Sequence, residues 1–130
     1  MKQYSGEQPQ NPAFEDLENG RYRFRLVYRE VAGDYGLAVH VFGPANNRIE
    51  EVLRFDCFES QPHYHLDWSY RDEPFISIAA QNPFEWSLAL ISSSFSEVLE
   101  QAEADSPTAE ELAEIPQVVS TLRMQSQGSG

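Results

Sequence analysis

The stretch that decides the fold reads Arg54-Phe55-Asp56-Cys57-Phe58-Glu59-Ser60-Gln61-Pro62-His63-Tyr64-His65-Leu66-Asp67-Trp68. Apolar and polar side chains alternate on both sides of Ser60-Gln61, and a period of two is typical of β-strands with one buried face. Two such runs joined by a short turn pair as antiparallel neighbours. The stretch therefore predicts a β-hairpin with its turn at Ser60-Gln61.

The same alternation continues on both sides of this hairpin. Turn-forming segments at 32–34 and 43–47 separate the upstream runs. Because turns this short join antiparallel neighbours, we expect a four- to five-stranded antiparallel meander. The strands are predicted at Arg21–Val31, Tyr35–Phe42, Ile49–Phe58, His63–Tyr70 and Phe75–Ala79.

After the strands, the apolar residues take on the period of a helix. Asn82 and Pro83 suit the N-cap and first position of a helix. A long amphipathic helix over 83–103, packed on one face of the meander, follows from the spacing of Phe84, Leu88, Ile91, Phe95, Val98 and Ala102. Thr108 and Glu111 have capping-box spacing and predict a short acidic helix. A last helical turn or two is predicted over 116–124, so the fold class is α+β with a short C-terminal helical segment.

The composition indicates one globular domain from a reducing compartment. The chain has 130 residues, 41% hydrophobic content and one cysteine, which allows no internal disulfide. Residues 1–18 are predicted as a flexible N-terminal arm, 19–124 as a single α+β domain and 125–130 as a disordered tail. We find neither a signal peptide nor the ~20 apolar residues of a membrane span, so we expect a cytoplasmic protein without a membrane partner.

The net charge of −12 is unevenly distributed along the chain. Residues 21–71 hold seven arginines and seven acids, whereas residues 72–130 hold one arginine and ten acids. This distribution argues against duplex DNA as a partner, because such binding depends on neutralising many phosphates. It leaves RNA open as a partner for the arginine-rich middle third.

Polar side chains on one face of the hairpin have three interpretations. In the predicted register Asp56 lies opposite His65 and Arg54 opposite Asp67, with Cβ atoms about 5 Å apart. The first interpretation is a lattice of exposed cross-strand ion pairs, each of which contributes little to stability. The second is a metal site held by His63, His65 and Asp67, or by Asp56 in place of Asp67. The sequence does not identify a cofactor.

The third interpretation is a metal-free acid–base site. A histidine oriented by a carboxylate acts as a general base, and nearby arginines hold an anionic substrate. The candidate catalytic residues are His63, His65 and Asp56, and the candidate substrate-binding residues are Arg54, Arg23 and Arg25. Cys57 has the parity of the core residues, so we interpret it as a buried small side chain and not as a nucleophile.

A non-enzymatic role is the alternative function. The acidic helix carries Glu97, Glu100 and Glu103, and an acidic helix face can dock a basic protein or mimic nucleic acid. This hypothesis describes a protein-binding or regulatory module, including an antitoxin-like one. We therefore expect a protein partner or a homo-oligomer, since pairing through the sheet face would also bury the polar residues.

The motif Arg54-Phe55-Asp56-Cys57-Phe58, followed by Pro62-His63-Tyr64-His65, resembles the R-F-D-C-F…P-H-Y-H core of a family of small uncharacterised bacterial proteins. More distantly, the order R-x-D…P-H-x-H, then a strand and an amphipathic helix, is similar to TumE-type toxins of bacterial toxin–antitoxin systems. That resemblance covers roughly residues 21–103 and implies an RNA-targeting toxin neutralised by a paired antitoxin. It implies functional roles for Asp56, His63 and His65.

Overall fold

The computed structural model describes residues 14–66 and 75–128. Its centre is an antiparallel sheet in which every strand pairs with the next one along the chain, so the sheet is a meander. Three helices follow the sheet, which makes the fold α+β. The elements are β1 (Leu17–Asn19), β2 (Tyr22–Val31), β3 (Asp34–Ala45), β4 (Arg48–Phe58), β5 (His63–His65), β6 (Ile76–Ser77), α1 (Pro83–Gln101), α2 (Ala109–Ala113) and α3 (Ile115–Gly128).

The described sheet has six strands, so the predicted count of four to five was too low. The additional strand is β1, whose Leu17 lies opposite Phe24 on β2. With three residues, β1 is too short to show an alternating pattern in the sequence. Its first two residues fall within the range 1–18 predicted as an arm, of which residues 1–13 lie outside the described part of the chain.

One face of the sheet forms the hydrophobic core with α1 and α3. The alternation predicted for the first strand is present in β2, where Tyr22, Phe24 and Leu26 are all buried. The predicted N-cap of α1 is confirmed as well, since the Asn82 side chain accepts a hydrogen bond from the backbone N–H of Glu85. The helical residues that pack in this core include Leu88, Ile91, Phe95, Val98, Val118 and Leu122.

The C-terminal helix α3 is longer than the turn or two predicted over 116–124. Proline is well tolerated in the first turn of a helix, so Pro116, the second residue of α3, does not interrupt it. The helix continues to Gly128, which includes residues predicted as a disordered tail. Arg123 on α3 forms a two-point ion pair with Glu85 on α1, at 2.9 Å for both contacts, and this pair links the two helices that cover the sheet.

No helix within residues 14–66 and 75–128 is both long and apolar enough to cross a membrane.

The pairing of β4 with β5 differs by two residues from the predicted register. Asp56 lies opposite His63 and Arg54 opposite His65, which corrects the predicted pairs Asp56–His65 and Arg54–Asp67. The reason is a tertiary contact: the Asp34 carboxylate accepts hydrogen bonds from the backbone N–H groups of Ser60 and Gln61, at 2.9 Å each. The loop is held open by these bonds, and a shift of two leaves every side chain on its predicted face.

Candidate functional site

The candidate site lies on the sheet face opposite the helices, where two rows of side chains cross four strands. One row consists of Arg25, His40, Arg54 and His65, and the other of Val27, Ala38, Asp56 and His63. Side chains alternate between the faces of a strand, so both rows share one face. The structure thus brings the three predicted catalytic residues together at the β4–β5 end of that face.

Asp56 is the centre of this cluster. Its side chain is 1% exposed, and its Oδ2 atom lies 3.0 Å from Nε of Arg54, 3.1 Å from Nε2 of His63 and 3.5 Å from Nε2 of His65. Its Oδ1 atom accepts a 2.9 Å hydrogen bond from Nη1 of Arg29. Burying a carboxylate is unfavourable unless it is paired, and these four neighbours supply the pairing. We name Arg29, Arg54, Asp56, His63 and His65 the Asp56 cluster.

Both ring nitrogens of His63 face oxygen acceptors. Nδ1 lies 2.8 Å from the carbonyl oxygen of Gln61, and Nε2 faces Asp56. A carbonyl and an ionised carboxylate only accept hydrogen bonds, so both contacts are satisfied together when each nitrogen carries a proton. This geometry favours His63 as an imidazolium cation.

The electrostatics of the cluster agree with that protonation state. Burial alone lowers the pKa of His63, but the hydrogen bonds to Asp56 and to the Gln61 carbonyl outweigh burial and raise it above the usual value. For Asp56, burial opposes ionisation, while the hydrogen bonds from His63 and His65 and the charges of Arg54 and Arg29 hold its pKa far below the usual range. The cluster therefore pairs an ionised carboxylate with a histidine whose protonated form is favoured.

Asp56, His63 and His65 are also the described residues that could hold a metal ion, since their ligand atoms all lie within 4.8 Å of one another. Two histidines and a carboxylate suit zinc or iron. Binding an ion there would require His63 to lose its Nε2 proton beside two guanidinium groups that already occupy both oxygens of Asp56. These charges oppose a dication. Asp67, the carboxylate predicted as the metal ligand, lies outside the described residues.

Of the three arginines predicted to bind substrate, the structure places only Arg54 in the cluster. Arg25 forms a two-point ion pair with Asp16, at 2.9 Å for both contacts, and Arg23 lies 3.5 Å from Glu18. Arg25 lies two strands from Arg54, which corresponds to roughly 10 Å across a sheet. Arg23 and Arg25 therefore lie in a separate region, at the β1–β2 edge.

Arg29 was not among the predicted site residues, although its parity placed it on the correct face. It sits opposite Gly36 on β3, and the neighbouring face position on β3 is Ala38. Because these two residues leave little side-chain volume above β3, the Arg29 side chain crosses that strand and reaches Asp56 on β4. A glycine and an alanine at alternate positions of a central strand are the sequence signal that could have revealed this contact.

A cavity of about 380 Å³ adjoins the cluster, and His63 forms part of its wall. Its other lining residues include Val31, Asp34, Phe58, Gln61 and Phe75. The cluster residues themselves are nearly covered, with His63 8% and His65 7% exposed. A small molecule or a nucleotide in this cavity would therefore meet the cluster through His63.

Cys57 lies on the other face of β4, as its parity predicted. Its Sγ atom is 3.5 Å from the Ser87 hydroxyl on α1, and burial raises the pKa of the thiol to about 11. A thiol with this pKa is uncharged at neutral pH and is a poor nucleophile. Cys57 thus contributes to packing beneath the site and not to its chemistry.

Comparison with known proteins gives a family but no characterised relative. Searches of curated proteins and of solved structures each returned no match to this chain. One family model, described as a domain of unknown function (DUF7700), matches residues 16–124, which include all the strands and nearly all the helical residues. The chain therefore belongs to the DUF7700 family.

Proposed function

We propose that this protein is a metal-free ribonuclease whose active site is the Asp56 cluster. The observation that carries the proposal is that one buried carboxylate oxygen of Asp56 faces the Nε2 atoms of both histidines, at 3.1 Å and 3.5 Å. A shared carboxylate orients both imidazole rings while two arginines supply positive charge. Cleavage of a phosphodiester needs these parts: a base, an acid and a cation near the phosphate.

The two histidines have different roles in this mechanism. His65 acts as the general base once the substrate uncovers its ring nitrogens, which are buried in the free protein. It takes the proton of the ribose 2′-hydroxyl, whose oxygen then forms a bond to the adjacent phosphorus. His63 is the general acid, because its contacts with Gln61 and Asp56 favour the protonated form. As the bond from phosphorus to the 5′-oxygen breaks, His63 gives its Nδ1 proton, which faces the cavity-lining residue Gln61, to that oxygen, while Nε2 stays bonded to Asp56. The products are a 2′,3′-cyclic phosphate and a free 5′-hydroxyl.

Arg54 and Arg29 stabilise the negative charge that develops on the phosphate oxygens. Both guanidinium groups are largely buried, with side-chain exposures of 18% and 15%. A charge in a water-poor site interacts more strongly than one in bulk water. Asp56 keeps these arginines and histidines together before the substrate arrives, which lowers the reorganisation needed during the reaction.

The resemblance of the Arg54–His65 motif to TumE-type toxins supports an RNA substrate, because that family is regarded as RNA-targeting. The same proposal includes a bacterial origin, a cytoplasmic location and a paired protein that neutralises the activity. The charge distribution is compatible with such a pair, since residues 72–130 carry a net charge of −9 and follow the arginine-rich segment 21–71 in the sequence.

The acidic helical layer supports a second candidate function, a binding or regulatory module without catalysis. Glu97 and Glu100 are exposed on α1, on the side of the molecule opposite the Asp56 cluster. A basic partner protein would dock there without contacting the histidines. In that case charge reversal at these two glutamates weakens partner binding, and substitution of the histidines has no effect.

The test is cleavage of fluorescently labelled single-stranded RNA in the presence of a chelator, using His63→Gln and His65→Gln. We expect each variant to lose 10²- to 10⁴-fold in kcat, the usual contribution of a general acid or base, with little change in the unfolding temperature. His40→Gln is the matched control, because His40 is on the same face but contacts Glu51. Its activity should stay within about twofold of the wild type.

Two results would overturn this proposal. One is a His63→Gln variant that cleaves as fast as His40→Gln. The other is about one transition-metal ion per chain in the purified wild type, absent from His63→Gln, together with loss of cleavage on chelation.

A further inference from the structure

We infer that the cavity beside His63 is a nucleobase-binding subsite and that Phe75 is its stacking platform. This inference rests on the proposed function, because it assigns the substrate contact of the same site. It concerns Phe75, Val31 and the loop before β5, none of which belongs to the catalytic cluster.

Phe75 stacks on the catalytic histidine and yet remains open to solvent. Its ring lies parallel to the His63 imidazole, with 4.0 Å between centroids and 16° between planes. It meets His65 edge-on, at 5.8 Å and 84°. The residue is nevertheless 56% exposed, while both histidines are buried. One face of the phenyl ring therefore covers the cluster, and the other face is available for a ligand.

The cavity has the size and lining of a small binding site. Its volume of about 380 Å³ is within the range of roughly 300–1,000 Å³ typical of ligand pockets. Val31, which is 39% exposed, adds a second uncovered apolar side chain to the lining. Ser60 and Gln61 supply polar groups to the same lining. An apolar platform beside hydrogen-bonding groups matches the flat face and polar edge of a nucleobase.

The distances place such a base within reach of the catalytic groups. A base stacked on the open face of Phe75 would lie one layer beyond the ring, or roughly 8 Å from the His63 imidazole. A nucleotide spans this distance, so its phosphate would meet His63 while its base stays on Phe75. Stacking of this kind tolerates any base, and we expect little sequence preference from it.

The experiment measures equilibrium binding of adenosine 3′-monophosphate and of inorganic phosphate by titration calorimetry. Phe75→Leu keeps an apolar side chain but removes the aromatic face, and it should weaken adenosine 3′-monophosphate binding about 5- to 100-fold. The same variant should bind inorganic phosphate as the wild type does. Phe75→Tyr should bind both ligands normally, and Ile49→Ala, at an exposed apolar residue far from the cavity, is the control.

Equal binding of the nucleotide by wild type and Phe75→Leu would overturn the inference, as would equal affinity of the wild type for nucleotide and phosphate. A second measurement needs no variant: intermolecular NOEs from the Phe75 ring protons to the adenine protons should appear in the wild-type complex, and their absence contradicts stacking. Because neither experiment involves cleavage, Phe75-dependent binding by a protein that cleaves no RNA would support the subsite while rejecting the ribonuclease.

Discussion

Two buried carboxylates, Asp56 and Glu111, show how similar ion pairs serve different purposes. Glu111 lies in the first turn of α2. Its carboxylate accepts hydrogen bonds from the backbone N–H groups of Arg21 and Thr108, at 2.8 Å each, and from the Arg21 side chain. Asp56 receives its contacts from four side chains of four residues. Backbone donors are fixed parts of the fold, whereas side chains beside a cavity can change partners.

The Glu111 carboxylate packs directly against the β1–β2 turn. Gly20 has φ +60°, and a Cβ atom built on it would lie 2.4 Å from the Glu111 carboxylate. The Asn19 side chain also donates a 2.8 Å hydrogen bond to the Glu111 carbonyl oxygen. Glu111 therefore acts as a bridge between the β1–β2 turn and α2. Both carboxylates are buried and paired, so burial and pairing alone do not distinguish a structural carboxylate from one in a candidate site. The type of partner does: Glu111 is bound by backbone groups as well as by a side chain, and Asp56 by side chains.

Replacing Glu111 with alanine tests the structural side of this comparison and should give the largest change in stability. The substitution leaves two backbone N–H groups and a guanidinium without their acceptor, so we expect a loss of about 3 kcal/mol in the free energy of unfolding. Urea unfolding followed by tryptophan fluorescence measures it. Glu110→Ala is the control, because Glu110 is exposed and its loss should change stability by no more than about 0.5 kcal/mol. Equal effects of the two variants would contradict the bridge.

Stabilisation of the protein by phosphate should depend on the Asp56 cluster and not on the Glu111 bridge, and we expect an effect of intermediate size. Arg29, Arg54 and protonated His63 favour a phosphate ion near the Asp56 cluster, so phosphate at ten times its Kd should stabilise the protein by about 1.4 kcal/mol. Thermal unfolding in phosphate and in sodium chloride of equal ionic strength measures this increment. Arg21→Gln, at the Glu111 bridge, should keep the increment, and His63→Gln should reduce it. A full increment in His63→Gln would place the anion elsewhere.

The pH dependence of stability should give the smallest effect, but it separates the two sites most clearly, because His63 and Glu111 contribute in different pH ranges. The raised pKa of His63 means that its ionic contacts stabilise the fold fully below pH 6.5 and are lost as pH rises through the raised value. For Glu111, whose pKa is lowered from 4.5 to about 2, chiefly by its hydrogen bond from Arg21, the contribution is full above pH 4.5 and disappears as pH falls toward 2.

The measurement is the difference in unfolding free energy between wild type and His63→Gln from pH 5 to 9, with wild type and Glu111→Gln compared from pH 5 to 2. The His63 difference should shrink only as pH rises above 6.5, and the Glu111 difference only as pH falls below 4.5. A His63 difference that grows from pH 5 to about pH 6.5 and then stays constant would show that the histidine is neutral in the folded protein.

Local patterns allowed the central strands and α1 to be predicted, because each repeats its period over ten or more residues. The three-residue strand β1 and the full length of α3 could not be predicted, since packing against the rest of the protein stabilises them more than their own patterns do. The same cause explains the register. The bonds from Asp34 to the 59–62 loop connect distant parts of the chain and leave no local signal.

The candidate site was partly predictable for a geometric reason. Asp56, His63 and His65 share a face in any β4–β5 register that differs from the predicted one by an even number of residues. Their grouping was therefore predicted correctly although the register was wrong by two residues. The contact between Arg29 and Asp56 could not be predicted from the sequence around Arg29, because it depends on the small residues of the neighbouring strand β3. Pairing across three strands is tertiary information.

The bridge between Arg21 and Glu111 joins residues that are 90 positions apart. On a ribosome that adds about 5–20 residues per second, the β1–β2 turn would emerge roughly 5–20 s before its carboxylate partner is synthesised. During that interval the sheet lacks α2 and α3, and α1 is the only described helix that can cover the core side of β2, through Phe95. The fold is therefore completed late in synthesis. A chain released before residue 111 would lack the contact between Glu111 and the β1–β2 turn.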